Sequence, residues 1–205
     1  MSMKQTRSVQ DFIEEKIRLL STCGSVLDVG GGERFQKWLA PYRTYFDKVD
    51  YKTFDYDARS GADVVGDIHN IPLPEASVDG IICHSVLEHV ADPMQATREM
   101  YRILKPGGAL FLHVPSIYPY HARKGSYPDY WRFFDDTFAI LLAEFTDVEL
   151  VKRGGYFTAL SFFVPSQHRL RWFLDPLSVV LDRIFKTERR TTTAGYYVYA
   201  IKPTN

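Results

Sequence analysis

One run limits what this chain can fold into more than any other: Val26-Leu27-Asp28-Val29-Gly30-Gly31-Gly32. The stretch from Ser25 to Val29 is short, apolar and closed by glycines, which predicts a buried strand running into a tight turn. Glycine has no Cβ, so such a turn can take positive φ and bring backbone close to a ligand. An acid, Asp28, sits near the end of that strand. The rest of the chain alternates in kind. A helix is expected over Arg34 to Leu39, and short strands at Thr53 to Tyr56, Asp63 to Val65, Gly80 to Cys83 and Ala109 to Val114. Asp92 and Pro93 supply N-cap and first-turn chemistry for a helix whose apolar side holds Met100, Ile103 and Leu104, and Pro106-Gly107-Gly108 ends it. Ser8 and Asp11 start a leading helix carrying Phe12, Ile13, Ile17, Leu19 and Leu20. This order predicts a doubly wound α/β fold with a mainly parallel sheet, covered on both faces, whose ligands lie at the carboxyl ends of the strands.

Beyond Val114 the chain is polar and aromatic up to Asp136. A helix is then expected over about 137–145, a strand near Val148 to Val151 and a last strand at Tyr196 to Ile201. With 205 residues, 45% of them hydrophobic, there is apolar material for one sizeable core and no second full domain. The expected organisation is therefore one domain over 1–205, with inserts at about 116–136 and 154–195 forming a cap on the substrate side. Lys plus Arg and Asp plus Glu balance at 25 each, so no global field draws the protein to nucleic acid, and none is expected as a partner. Cys23 and Cys83 lie apart in apolar settings, as reduced thiols do. The amino terminus reads as lacking an apolar leader, and no run reaches bilayer-spanning length without charges, so a cytoplasmic protein is expected.

The glycine run is not a dinucleotide fingerprint. With Gly30 and Gly32 in the first two places, the third glycine is replaced by Phe35, and the helix that would sit close under a pyrophosphate loses its contact point. S-adenosylmethionine (SAM) has no phosphate; its ribose diol, ammonium and carboxylate call for acceptors as much as for donors. Asp55, at the end of the second strand, can accept from ribose hydroxyls, a role that nicotinamide sites share. Asp67, after the third strand, can accept from an adenine amino group, with Ile68 as backbone donor and apolar wall. The alternatives are that Asp67 caps its own turn and that Asp28 ties down the glycine-turn amides.

The set VLDVGGG, FDYD, VVGDIHNIPLP, SVDGIICHSVLEHV and REMYRILKPGGALFLHVPS, in that order over roughly residues 25–116, resembles the class I SAM-dependent methyltransferases, especially the type 11 subgroup. The resemblance implies a Rossmann-like, seven-stranded sheet with an antiparallel last strand and S-adenosyl-L-methionine as cofactor. It places Asp28, Gly30 and Gly32 beside the methionine part, with Gly31 in the same set. Asp55, followed by Tyr56, falls at the ribose, Asp67 with Ile68 at the adenine, and His84 and Ser85 near the methionine end through their backbone. The implied activity is methyl transfer to an oxygen or nitrogen of a small-molecule, glycan or lipid-linked acceptor. The alternative is a non-catalytic SAM-binding subunit or partner-binding module that works through the 154–195 insert.

The sulfonium already activates the methyl group, so the protein mainly has to align a nucleophile with it. A base helps when that nucleophile is a hydroxyl. His89 is the leading candidate, because it follows the fourth strand and titrates near neutrality; the alternative is that Glu88 and His89 fix the start of the next helix. His113 is a second candidate on the substrate side, or else a core histidine. Some relatives hold a divalent metal with a Glu-x-x-Glu-His run. Ser85 stands here in place of the first Glu, so no metal is expected. In the first insert, Tyr127, Asp129, Tyr130, Trp131 and Arg132 are candidate acceptor contacts, or a set that pins its own loop. In the second, the apolar run from Leu170 to Phe185 suits a lid helix pair, a homodimer surface through 168–190, or a peripheral membrane segment. Asp175, Pro176 and Asp182 interrupt a clean amphipathic face and favour the lid.

Overall fold

The computed structural model describes residues 8–165 and 167–204; the first seven residues, part of the amino-terminal stretch read as lacking a leader, lie outside them. Helix α1 (Val9–Leu20) starts where Ser8 accepts a hydrogen bond from the Asp11 amide at 3.0 Å. It buries Phe12, Ile13, Ile17 and Leu20, one face at helical spacing. The strands are β1 (Ser25–Val29), β2 (Asp50–Asp55), β3 (Val64–Val65), β4 (Val78–His84), β5 (Leu104–Pro115), β6 (Thr146–Lys152) and β7 (Gly195–Ile201). The helices after α1 are α2 (Pro93–Ile103), α3 (Thr137–Leu141), α4 (Tyr156–Ser161) and α5 (Gln167–Ile184).

The strands form one sheet in the order β3-β2-β1-β4-β5-β7-β6, with β7 antiparallel to both of its neighbours. This is the expected doubly wound sheet, antiparallel last strand included. The order reverses between β1 and β4, which opens a crevice at their carboxyl ends. Alternate side chains of the central strands β1, β4, β5 and β7 enter opposite cores. Leu110, Leu112 and Val114 of β5 pack with Leu27, Ile81 and the α2 residues Met100 and Ile103. Ala109 and Phe111 pack on the other face with α1, Leu39, Tyr42 and Tyr199. Burial on both sides explains why these strands read as continuous apolar runs.

Three local expectations need correction. No α-helix forms over 34–39; Arg34 and Phe35 make a turn, and 3-10 turns run from Lys37 to Phe46. Phe35 holds φ at +55°, which no helix tolerates, and Pro41 has no amide to give to an α ladder. Helix α3 stops at Leu141, short of 145. Finally, α2 ends at Ile103, and the chain passes straight into β5, so Pro106-Gly107-Gly108 forms an irregularity inside the strand between the Val78–Leu104 and Gly80–Ala109 pairs.

The two inserts touch. The amides of Ser116 and Ile117 donate to the carbonyls of Ala194 and Thr193 at 3.0 Å each, and Tyr118 packs on Phe162 with ring centres 4.8 Å apart. Helices α4 and α5 are joined by buried Asp182, whose carboxylate accepts from the amides of Gly155, Phe157 and Thr158 at 2.8, 2.8 and 3.1 Å and from the Thr158 hydroxyl at 2.6 Å. Asp182 therefore does not break the outer face of α5, as its place in the sequence suggested; it faces inward. Pro176 does not end the helix either. The outer face shows Leu170, Trp172 (79% exposed), Phe173, Val180 and Ile184, bordered by exposed Arg169, Arg171, Arg183 and Lys186. Among the described residues, no helix is long and apolar enough to cross a membrane.

Candidate functional site

The crevice is built from the tips of β1, β2 and β4. Gly30 and Gly32 hold φ at +73° and +56°, and a Cβ on Gly30 would collide with Cγ2 of Val86, just past β4. Only glycine lets the two strand ends come this close. Asp28 is buried and accepts from the Tyr51 hydroxyl at 2.6 Å. Burial pushes its carboxyl up to about 7 against the opposing pull of that bond. Its carboxylate thus serves Tyr51, and the Gly31 amide turns instead to the Asp28 backbone carbonyl at 3.4 Å. Phe35, in the place of the absent third glycine, stacks on Tyr51 with centroids 4.2 Å apart. A cavity of about 560 Å³ is lined by Glu33, Arg34, Phe35, Arg43 and Tyr51 among others; Asp28, Asp55 and Asp67 take no part in its lining.

At the tip of β2, Oδ1 of Asp55 accepts from the Asp57 amide at 2.9 Å. Its Oδ2 lies 3.7 Å from where a Cβ of Gly32 would stand, so this oxygen faces the glycine turn. The adjacent Tyr56 donates its hydroxyl to the Ser126 carbonyl and ties the β2 tip to the first insert. Oδ1 of Asp67 meets the His69 amide at 2.9 Å and the His69 ring at 2.6 Å, and the amide bond leads in holding the carboxyl below its usual range. The turn-capping alternative is what this conformation shows. The Ile68 side chain is buried in the core.

Past β4 the rings stack in a column. His84 lies 4.3 Å from Trp38 on one side and 4.3 Å from His113 on the other. Ser85, with φ at +57°, holds Nδ1 of His113 through its hydroxyl at 2.8 Å. His113 is 3% exposed, and burial drives its basicity well below the ordinary histidine value. It sits in the interior beneath Ser85, as the core alternative had it.

The second centre lies on the 3-10 turn Leu87–His89 and the first insert. The start of α2 is capped by Asp92, which accepts from the Gln95 amide at 2.9 Å, so Glu88 and His89 are free of that duty. Glu88 is fully buried; neither carboxylate oxygen has a hydrogen-bond partner among the described residues, and burial raises its pKa to about 8. Nδ1 of His89 bonds the Pro128 carbonyl at 2.5 Å, and its ring packs on Tyr127 with centroids 4.4 Å apart. Burial lowers the His89 pKa. His121 meets His89 edge-on at 4.9 Å. The Nε2 atoms of His89 and His121 lie 3.8 and 3.9 Å from Oε1 of Glu88.

Asp129 and Arg132 form a two-pronged ion pair at 2.6 and 2.7 Å, and Arg132 also grips the carbonyls of Tyr118 and Pro119 at 3.0 and 2.8 Å. Burial pushes Asp129 up, but Arg132 and His121 override it and hold the carboxyl at about 2. This pair pins the loop. The Tyr130 and Trp131 amides reach the Glu88 carbonyl at 2.7 and 3.2 Å, and the Trp131 indole donates to the Val90 carbonyl at 2.8 Å. The Tyr130 and Trp131 rings remain exposed. Sequence reasoning gave no role to Trp38 or His121. Trp38 meets His84, and His121 meets His89 and Glu88, from far along the chain, and no local spacing announces either meeting.

Residues 27–112 match the family model described as a methyltransferase domain. The chloroplastic 2-methyl-6-phytyl-1,4-hydroquinone methyltransferase 2 of Oryza sativa subsp. japonica is 28% identical over 163 residues, 74% of this chain and 44% of its own length. The demethylmenaquinone methyltransferase of Listeria welshimeri is 47% identical over 45 residues, 22% of this chain and 19% of its own. The chain thus spans less than half the length of these relatives. A solved SAM-dependent methyltransferase from Archaeoglobus fulgidus has the same fold, with a TM-score of 0.61 at 16% identity over 95% of this chain and 93% of that one. The class I methyltransferase resemblance read from the sequence is borne out by the matched domain and the shared sheet.

Proposed function

We propose that this chain is a SAM-dependent methyltransferase whose acceptor is a small molecule with an apolar tail, methylated at oxygen or nitrogen. The observation that carries the reading is the Asp55 carboxylate oxygen turned toward a positive-φ glycine turn, at the point where the sheet order reverses, within a matched methyltransferase domain. These residues suit the cofactor. Asp55 takes the ribose hydroxyls, Gly30, Gly31 and Gly32 give the methionine part close backbone, with Asp28 behind them, and the backbone at His84 and Ser85 borders the sulfur. Asp67 takes the adenine amino group once it exchanges its bond to His69, and Ile68 offers its amide. Tyr56 holds the cap down through Ser126.

The cofactor supplies an activated methyl group; the protein's share is alignment in a water-poor space, which in well-oriented systems supplies roughly 7 to 11 kcal/mol. The inserts at 116–136 and 154–195 form the cap that excludes water. Tyr127, Tyr130 and Trp131 face the acceptor, while Asp129 and Arg132 keep their loop in place and His113 orients Ser85. His89 has Nδ1 engaged by Pro128, which leaves Nε2 toward the acceptor side. An amine needs no base there; a hydroxyl needs help in losing its proton. The apolar tail is argued from the outer face of α5 with its basic border, and it agrees with the phytyl-hydroquinone and demethylmenaquinone in the relatives' names.

Calorimetry with SAM and with NAD, followed by turnover assays on hydroquinones with and without a prenyl tail, tests the reading. SAM binding with formation of S-adenosylhomocysteine is expected. Micromolar NAD binding without SAM binding overturns it; SAM binding with no turnover on any acceptor supports the non-catalytic subunit instead.

A further inference from the structure

We propose that Glu88, His89 and His121 form a binding site for one divalent transition-metal ion of the zinc type. The three side chains each present a ligand atom within 4.8 Å of the others. They come from two elements, the turn after β4 and the first insert, and the fold brings them together. The strongest single sign is Glu88. It is fully buried, with both oxygens lacking hydrogen-bond partners among the described residues. A buried carboxylate in that state is costly unless something positive answers it.

The histidines are oriented for the purpose. Nδ1 of His89 is held by the Pro128 carbonyl at 2.5 Å, and Nδ1 of His121 by the Pro119 carbonyl at 3.1 Å with Asp129 at 3.2 Å. A ring that donates from Nδ1 keeps its Nε2 lone pair for a ligand, and a carbonyl or carboxylate behind the ring is the usual support of a metal-bound histidine. Both Nε2 atoms point at the same Glu88 oxygen from 3.8 and 3.9 Å. Those separations exceed a hydrogen bond. They come near the spacing of ligands that share an ion at roughly 2.0 to 2.2 Å each. Two imidazoles and a carboxylate favour zinc, cobalt or iron(II) over magnesium or calcium, which prefer oxygen throughout. The side chain of His121 is 30% exposed and leaves an approach from solvent.

The expectation of no metal rested on Ser85 replacing an acid three residues before Glu88. The geometry supplies the third ligand from His121 instead, and it makes His89 a ligand rather than a proton acceptor. The ion site stands on these contacts alone; its use in the reaction rests on the function proposed above. There the ion binds an acceptor hydroxyl and lowers its pKa, and the proton leaves to solvent. The oxygen then bonds to the methyl carbon as the carbon–sulfur bond breaks and S-adenosylhomocysteine departs.

The test is titration of the chelator-treated full chain with cobalt(II), read by its visible absorption and by calorimetry. One equivalent is expected to bind and raise the melting temperature. Glu88→Gln, which keeps the buried shape, and His121→Ala, in the loop, are each expected to weaken binding at least tenfold, while His69→Ala leaves it unchanged. No cobalt spectrum, or a spectrum indifferent to both ligand substitutions in variants that retain the wild-type circular dichroism, overturns the proposal. SAM calorimetry on the metal-free protein separates the two readings. SAM binding without cobalt binding removes only the ion, and cobalt binding without SAM binding removes only the methyltransferase.

Discussion

At the scale of single residues, the site divides into carboxylates held for a ligand and carboxylates spent on the protein. Asp55 is proposed to be of the first kind. Asp55→Ala is expected to weaken SAM binding by at least about 1 kcal/mol, measured by calorimetry, because charge-assisted hydrogen bonds to the ribose are lost. Asp28 belongs to the second kind, with a folded pKa of about 7 against an ordinary value of 3.8. The folded state therefore binds more protons than the unfolded state between those values, and this group's contribution to stability falls as pH rises from about 4 to 7. Asp28→Asn is expected to remove that decline, so that denaturant melts at pH 5 and pH 8 differ less in the variant than in the wild type. The sequence made Asp28, Asp55 and the glycines legible because each adjoins a strand end, and strand ends can be read from apolar runs. It did not reveal that Asp28 would be claimed by Tyr51, or that Glu88 would lie without a partner beside two histidines. Those facts depend on which side chains meet across the fold.

At the scale of elements, periodicity located the leading helix, α2 and the strands to within a few residues, since each buries a face at its own repeat. It failed at Arg34 to Leu39, where a left-handed Phe35 and an internal proline override an acceptable helical pattern. It also misjudged α5, because an acid in an apolar run looks like an interruption until its partners are seen. Asp182→Ala leaves the amides of Gly155, Phe157 and Thr158 without their acceptor. A local loss of about 2 to 3 kcal/mol is expected, seen as faster hydrogen exchange over 154–190 with β4 and β5 unchanged. On the opposite face, Trp172→Glu is expected to abolish sedimentation with anionic lipid vesicles while leaving SAM affinity intact. If the wild type fails to sediment with them, the lipid-tailed acceptor loses its structural support. Tyr56→Phe unfastens the first insert from β2 and is expected to speed SAM release in stopped-flow measurements with little change in melting temperature.

At the scale of the whole molecule, the strand tips form a crevice of glycines and carboxylates, and the two inserts brace each other, the pair proposed above as its cap. The tips of β1, β2 and β4 supply the crevice, and both inserts follow β5 in the chain. On the function proposed above, this division explains why the resemblance lies in residues 25–116, where backbone would have to fit an invariant ligand. The position of β7 has a further effect. It slots between β5 and β6, and among the described residues it is the only strand to which β6 is hydrogen-bonded. During synthesis on the ribosome, β6 therefore emerges well before the neighbour that satisfies its backbone. Until residues 195–201 arrive, β5 and β6 each present a bare edge to any other nascent chain, so the exposure to misassembly lasts from the emergence of β6 to the emergence of β7.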